Sequence, residues 1–208
     1  MVALSAVVLE GCGSGDGTSA KPGPPVTLPA ATTSSAVSTS TSRGTSATST
    51  ATRGGGPALN AASTVNLRGV GPVRVEMTLP EASNVAGTPI VPKGGNADCG
   101  FAAPQDGPPG VSFMVVKGRI ARVDVTEGPV KTLSGAGVGD TEAQTQARYA
   151  NALVVSPAKY LPGGHDLTLV PSDAADTPFR LIFETDGKKV TRFRAGRQPE
   201  VSYVEGCS

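Results

Sequence analysis

The sequence has no tryptophan, one histidine and three cysteines, and aromatic residues make up 4% of it. The aromatic shortage leaves neither a base-stacking platform nor the Trp-lined cleft usual for sugars, although three tyrosines keep carbohydrate binding open. Charge of one sign is also missing. With 18 Lys and Arg against 17 Asp and Glu, the chain lacks the basic excess that a nucleic-acid surface needs, so no nucleic-acid partner is expected. One His and few Cys supply no tetrahedral zinc set. No apolar stretch is long enough to span a bilayer.

Catalytic patterns are equally scarce. His165 follows Gly163-Gly164, and a Ser-His-Asp triad around it would have to be gathered from scattered positions. It reads as a turn histidine. Gly135, Gly137 and Gly139 are spaced like a phosphate loop, but Asp140 stands where the last glycine of G-x-G-x-x-G belongs and no P-loop lysine follows. They read as a turn. No cofactor is expected, and no catalytic residue is assigned.

What is present begins at the N-terminus. The short apolar start Val2 to Leu9 leads into Leu9-Glu10-Gly11-Cys12, which resembles the end of a bacterial lipoprotein signal, in which a small-residue motif precedes an acylated Cys. The resemblance implies lipid attachment at Cys12, a membrane location on the extracytoplasmic face, and a start upstream of Met1 supplying the basic first part of the signal. The lipid would be the only anchor, holding through about 0.8 kcal/mol for each buried CH₂. The other reading is an ordinary start with an accidental Leu-x-Gly-Cys.

The cysteine count points the same way. An odd number in an exported protein asks for a special role for one of them. With Cys12 acylated, Cys99 and Cys207 are left as a disulfide pair, one in a Gly/Pro-rich loop and one at the penultimate position. Two free thiols in a cytosolic protein are the alternative.

Residues 13–62 are rich in Ser, Thr, Ala, Pro and Gly. Such a segment buries too little apolar surface to offset the entropy of ordering, so a disordered tether is expected. Its hydroxyls suit O-glycosylation, and an unmodified spacer fits equally well.

Residues 63–208 have the size of one domain. A duplication is visible within it, with possible halves 63–130 and 131–208. Val75-Glu-Met-Thr-Leu-Pro-Glu-Ala82 aligns with Val138-Gly-Asp-Thr-Glu-Ala-Gln-Thr145, each after a glycine-punctuated turn. In the first copy Thr78 caps a helix, Glu81 closes a capping box, Leu79, Ala82 and Ala86 form the apolar stripe, and Gly87 ends it. In the second, Asp140 or Thr141 caps, and Ala143, Ala147 and Ala150 recur at helical spacing. Each helix precedes a hairpin. Val111–Val116 turns at Lys117-Gly118 into Arg119–Val125, and Phe179–Thr185 turns at Asp186-Gly187 into Lys189–Arg194. Phe179, Leu181 and Phe183 share one strand face, with Arg180 and Glu184 on the other. The expected fold is α+β: an antiparallel sheet with helices on one face, in two similar halves.

The order of capped helix, loop and antiparallel strands resembles the repeats of SmpA/OmlA-type lipoproteins and of the β-lactamase-inhibitory-protein fold, over about residues 70–205. Glu76 stands where those repeats carry Gly. The segments Gly118–Asp124, Gly137–Ala143, Phe183–Gly187 and Gly196–Cys207 resemble uncharacterised exported bacterial proteins. Both resemblances imply location and fold, and no activity.

Two function classes remain. The leading expectation is a non-enzymatic envelope lipoprotein that binds another envelope protein, a wall polymer or a lipid, with Lys188, Lys189, Arg192, Arg194 and Arg197 as a possible anionic-ligand patch. The same run also reads as a solvated face. The competitor is a hydrolase or transferase acting on wall sugars with two carboxylates, drawn from Asp124, Glu127, Asp140, Glu142, Glu184 and Asp186.

Overall fold

The computed structural model describes Ala58–Cys207, all within one unit of the chain. Cys12 and most of the tether lie outside the described residues. Leu59, on the tether side of the expected boundary, is already buried, and its N–H donates to the Ala86 carbonyl at 3.0 Å.

Strands dominate this unit. In chain order they are β1 (Thr64–Asn66), β2 (Gly69–Val70), β3 (Val73–Arg74), β4 (Ile90–Gly95), β5 (Cys99–Pro104), β6 (Val111–Val116), β7 (Arg119–Val125), β8 (Lys131–Thr132), β9 (Leu153–Pro157), β10 (His165–Leu169), β11 (Phe179–Thr185) and β12 (Val190–Arg197). The two helices are short, α1 at Leu79–Ala86 and α2 at Glu142–Arg148. The expected α+β balance is therefore corrected to a mainly antiparallel β fold. Each helix is stopped after about two turns, α1 by Gly87 at φ 71° and α2 by Ala150 and Asn151 at φ 49° and 58°.

The local signals for the helix starts hold. The Thr78 hydroxyl accepts from the Glu81 N–H, and the Glu81 carboxylate accepts from the Thr78 N–H at 2.8 Å. Thr141 and Gln144 repeat that box. The stripe expected on α2 does not hold. Thr145 is its buried residue while Ala143 and Ala147 are exposed, because alanines at helical spacing do not by themselves tell which face meets a core.

Ahead of each helix the chain makes the same turn. Glu76 lies at φ 74° and Gly139 at φ 89°. Their N–H groups donate to the carbonyls of Ile120 and Val190 respectively, at 2.8 and 2.9 Å. The left-handed backbone, which costs a residue with a side chain about 1–2 kcal/mol, is thus kept at Glu76 where the resembled repeats use Gly.

The large sheet has the order β4-β5-β6-β7-β12-β11-β10-β9 and is antiparallel throughout. Each helix is followed by four of its strands, and the last strands of the two runs, β7 and β12, pair at the centre. A smaller sheet, β3-β2-β1-β8, contains the parallel pair β1/β8.

Because side chains alternate across a strand, a consistent register gathers rows of apolar residues on one side. Ala102, Phe113, Val123, Ala195, Leu181, Leu169 and Leu153 stand opposite one another in a row that crosses from β5 to β9. Beside it runs Val111, Val125, Phe193, Phe183 and Leu167. These rows form the core with Ala82 and Ala86 of α1. Tyr149, at the end of α2, packs its ring 5.7 Å from that of Phe183.

Candidate binding face

The same alternation sends the polar residues to the outer face. One row there is Ser156, Asp166, Glu184 and Arg192, and the next is Val154, Thr168, Ile182, Arg194, Asp124 and Ser112. Charges that neighbour along the register can pair, and they do. Glu184 is held by the Arg192 guanidinium at 2.5 Å and by Arg194. Arg122, one row further, donates to Asp124 at 2.9 Å.

Arg122 and Arg194 are buried, which requires that each be paired and hydrogen-bonded. Their cover is the end of the chain. Arg122 donates to the carbonyls of Glu200 (3.0 Å) and Tyr203 (2.7 Å), and Arg194 donates to that of Val201 at 2.6 Å. Burial, followed by the nearby Arg122 charge, pulls the Arg194 guanidinium below its ordinary pKa. Gly196 makes room, since a Cβ there would come within 2.5 Å of the Arg122 Cβ. Further along, Gly206 packs on Phe101 and Met114. Cys207 is bonded to Cys99 of β5, as the cysteine count implied. The last residues are thus a strap across the outer face.

Between the strap and the β9–β10 loop lies a cleft of about 480 Å³. Its floor is Asp166, Glu184 and Arg192, and its walls carry Tyr160, Leu161 and Val204. Loop and strap are linked by the ion pair of Lys159 with Glu205 at 3.3 Å and by a hydrogen bond from the Tyr160 hydroxyl to Glu205. Across that link a second cleft, of about 690 Å³, runs along Asn96, Asp98 and the disulfide.

Asp166 is the unusual group. It is half-buried, and among the described residues no hydrogen bond or ion pair reaches its carboxylate. Burial raises its pKa above the ordinary value, against the pull of the Arg194 and Arg192 charges. Its one signal in the sequence is the alternation His165-Asp-Leu-Thr-Leu169, which turns Leu167 to the core and Asp166 outward.

The other expected positions are dispersed. Lys188 and Lys189 are exposed beside the Asp186-Gly187 turn. Arg192 and Arg194 are committed to Glu184, and Arg197 to Glu76 (2.7 Å) and Glu200 (3.0 Å). Of the five cations proposed for an anionic ligand, three already hold carboxylates. Asp140 accepts from the Gly137 N–H and meets Arg148 at 3.6 Å, so the glycine run is a structured turn. Glu142 accepts from the Thr185 hydroxyl, and the His165 ring lies 2.8 Å away through Nδ1. Burial would raise the Glu142 carboxyl, but those two hydrogen bonds and the His165 charge hold it below its ordinary value. Here the carboxylate sits between the hydroxyl and the imidazole, whereas a nucleophilic triad needs the imidazole in the middle. Among the described residues no group of three or more His, Cys, Asp or Glu side chains is placed to hold a metal ion.

No family model matches this chain, and neither does any curated protein or solved structure.

Proposed function

We propose that this chain is a cell-envelope lipoprotein, tethered through Cys12, whose β domain is a non-catalytic binding module with its recognition site at the Asp166 cleft. The observation that carries the reading is Asp166 itself, a carboxylate kept half-buried and unpaired beside exposed Tyr160 and Leu161. A buried group without a partner costs free energy, and such costs collect where a ligand supplies the missing partner. An envelope component presenting hydroxyl or ammonium donors beside an apolar face fits the cleft. The two runs of a helix and four strands support the repeat resemblance. The disulfide suits an oxidising exterior.

One observation favours the wall-sugar enzyme as a second reading. Asp166 and Glu184 are direct cross-strand neighbours, and one of the two carboxyls is raised. Glu184 is already held by two guanidinium groups, which weakens it as nucleophile or base.

Calorimetric titration with soluble wall fragments, together with mass spectrometry of the mixture, separates the two. Binding without products, weakened at least tenfold in Asp166→Asn, is expected. Products that disappear in Glu184→Gln would establish the enzyme instead. With a complete signal supplied, radiolabelled palmitate should enter the wild type and not Cys12→Ala.

A further inference from the structure

The large sheet ends in two edges, and the chain treats them differently. The β4 edge carries Pro92, which has no N–H to donate, the charged Lys93, and a register break between Pro92 and Gly94. These are the devices that keep one sheet edge from pairing with another. The β9 edge, Leu153-Val154-Val155-Ser156-Pro157, lacks all of them before its last residue. It runs in unbroken register with β10, carries no charge, and leaves Val154 57% and Val155 47% exposed. Tyr160 and Leu161, 58% and 44% exposed, follow directly in the next loop. Among the described residues no segment pairs with the outer side of β9.

We infer that β9 is a seam between two copies of this chain, whose β9 strands pair antiparallel about a twofold axis at Val155 and join the two large sheets into one. The axis of such a pair stands perpendicular to the sheet, so outer-face residues meet outer-face residues. Pairing all of β9 then sets Leu153 opposite the other copy's Pro157, Val154 opposite its Ser156, and Val155 opposite its Val155. No charge meets a like charge along that seam. The nearest outer-face charge, Asp166, is one strand back, opposite Ser156. A foreign extended peptide would be selected by charges or side-chain pockets along the edge. The β9 edge has no charge to select with, and it is complementary to itself. The loop with Tyr160 and Leu161 follows Pro157, which puts it against the partner's Asn151-Ala152 turn and brings further apolar surface into the contact. Both outer faces look the same way, so the dimer presents two Asp166 clefts side by side.

The test uses the full chain with Cys12→Ser, free of acylation and of a stray thiol. Sedimentation equilibrium should give twice the chain mass at micromolar concentration. Val154→Lys combined with Val155→Lys should give the single chain mass and a cooperative thermal melt whose midpoint no longer depends on protein concentration, because both positions are already half open to solvent and the chain still folds without the seam. Opposite residues of an antiparallel pair have Cα atoms about 4.5–5.5 Å apart, within reach of a disulfide. Val155→Cys should therefore cross-link to itself on mild oxidation. Val154→Cys alone should not, while its mixture with Ser156→Cys should. A monomer at every concentration, a dimer indifferent to the lysines, or a Val155→Cys chain that fails to cross-link would each overturn the seam.

Discussion

Asp166 costs the folded protein something that a neutral residue of the same shape would not. Its folded pKa is raised by burial, so the native state holds this proton more tightly than the unfolded chain does. The stability that follows is fully present below the unfolded pKa, about 3.9, and is lost as pH rises through the folded value. Asp166→Asn should match the wild type at low pH and become the more stable of the two towards neutrality. Since the group is only partly buried, solvent screening keeps the gain under about 1 kcal/mol. Urea melts of both chains across that window measure it, and a gain that does not grow with pH would mean the carboxylate is not desolvated. At this scale much was readable in the chain. Thr78 with Glu81, and Gly87 after them, signal through residues a few positions apart, and a capping box needs nothing else. Asp166 needed Glu184 and Arg192 from other strands before it became a site, and only the fold brings those together.

Among the elements, two fastenings of the strap over the outer face are independent of each other. One is covalent: Cys99 to Cys207, 108 residues apart. The other is the set of carbonyl contacts from the buried guanidinium groups of Arg122 and Arg194. Cys207→Ser removes the cross-link, and the chain-entropy treatment puts the loss at about 4–5 kcal/mol for a loop of this size. Arg122→Met leaves two strap carbonyls and Asp124 without their donor, a loss on the order of 3 kcal/mol. Carboxypeptidase digestion followed by mass spectrometry should show the chain protected up to Tyr203 in either variant and trimmed past it in the double variant. Rapid trimming of Cys207→Ser alone past Tyr203 would show that the guanidinium contacts do not hold the strap. The pairing of the cysteines followed from counting. The strap's position did not, because Arg122 and Arg194 read in sequence as ordinary outward strand residues, and only their burial shows what covers them. The strands β4, β5, β9 and β10 do not stand out in the sequence, since Pro92 and the glycines interrupt β4, Cys99-Gly-Phe-Ala-Ala-Pro104 and Leu153-Val-Val-Ser-Pro157 alternate weakly, and the alternation of His165–Leu169 is only five residues long.

At the scale of the whole molecule, the duplication in sequence divides one domain into two halves, and the packing joins them. The apolar row from Ala102 to Leu153 crosses the β7·β12 joint without a break, and Val123 and Val125 of the first run face Ala195 and Phe193 of the second. Separating the runs would open β7 and β12 as long edges with buried valines and Phe193 exposed, and would split the core into pieces too small to hold alone. Arg197 adds a tie at the same place, reaching Glu76 ahead of α1 and Glu200 in the strap. Unfolding should therefore be a single cooperative transition. All three tyrosines, Tyr149, Tyr160 and Tyr203, lie in the second run or the strap, so their fluorescence reports that part while hydrogen exchange at Phe113 and Val123 reports the first. In urea the two probes should give one midpoint, and the amides of Phe113, Val123, Leu181 and Phe193 should exchange with one opening free energy. A first run that melts apart from the second, or a chain ending at residue 126 that folds alone, would mean that the central joint is a contact between two finished domains. The continuity of the core rows says that it is the middle of one.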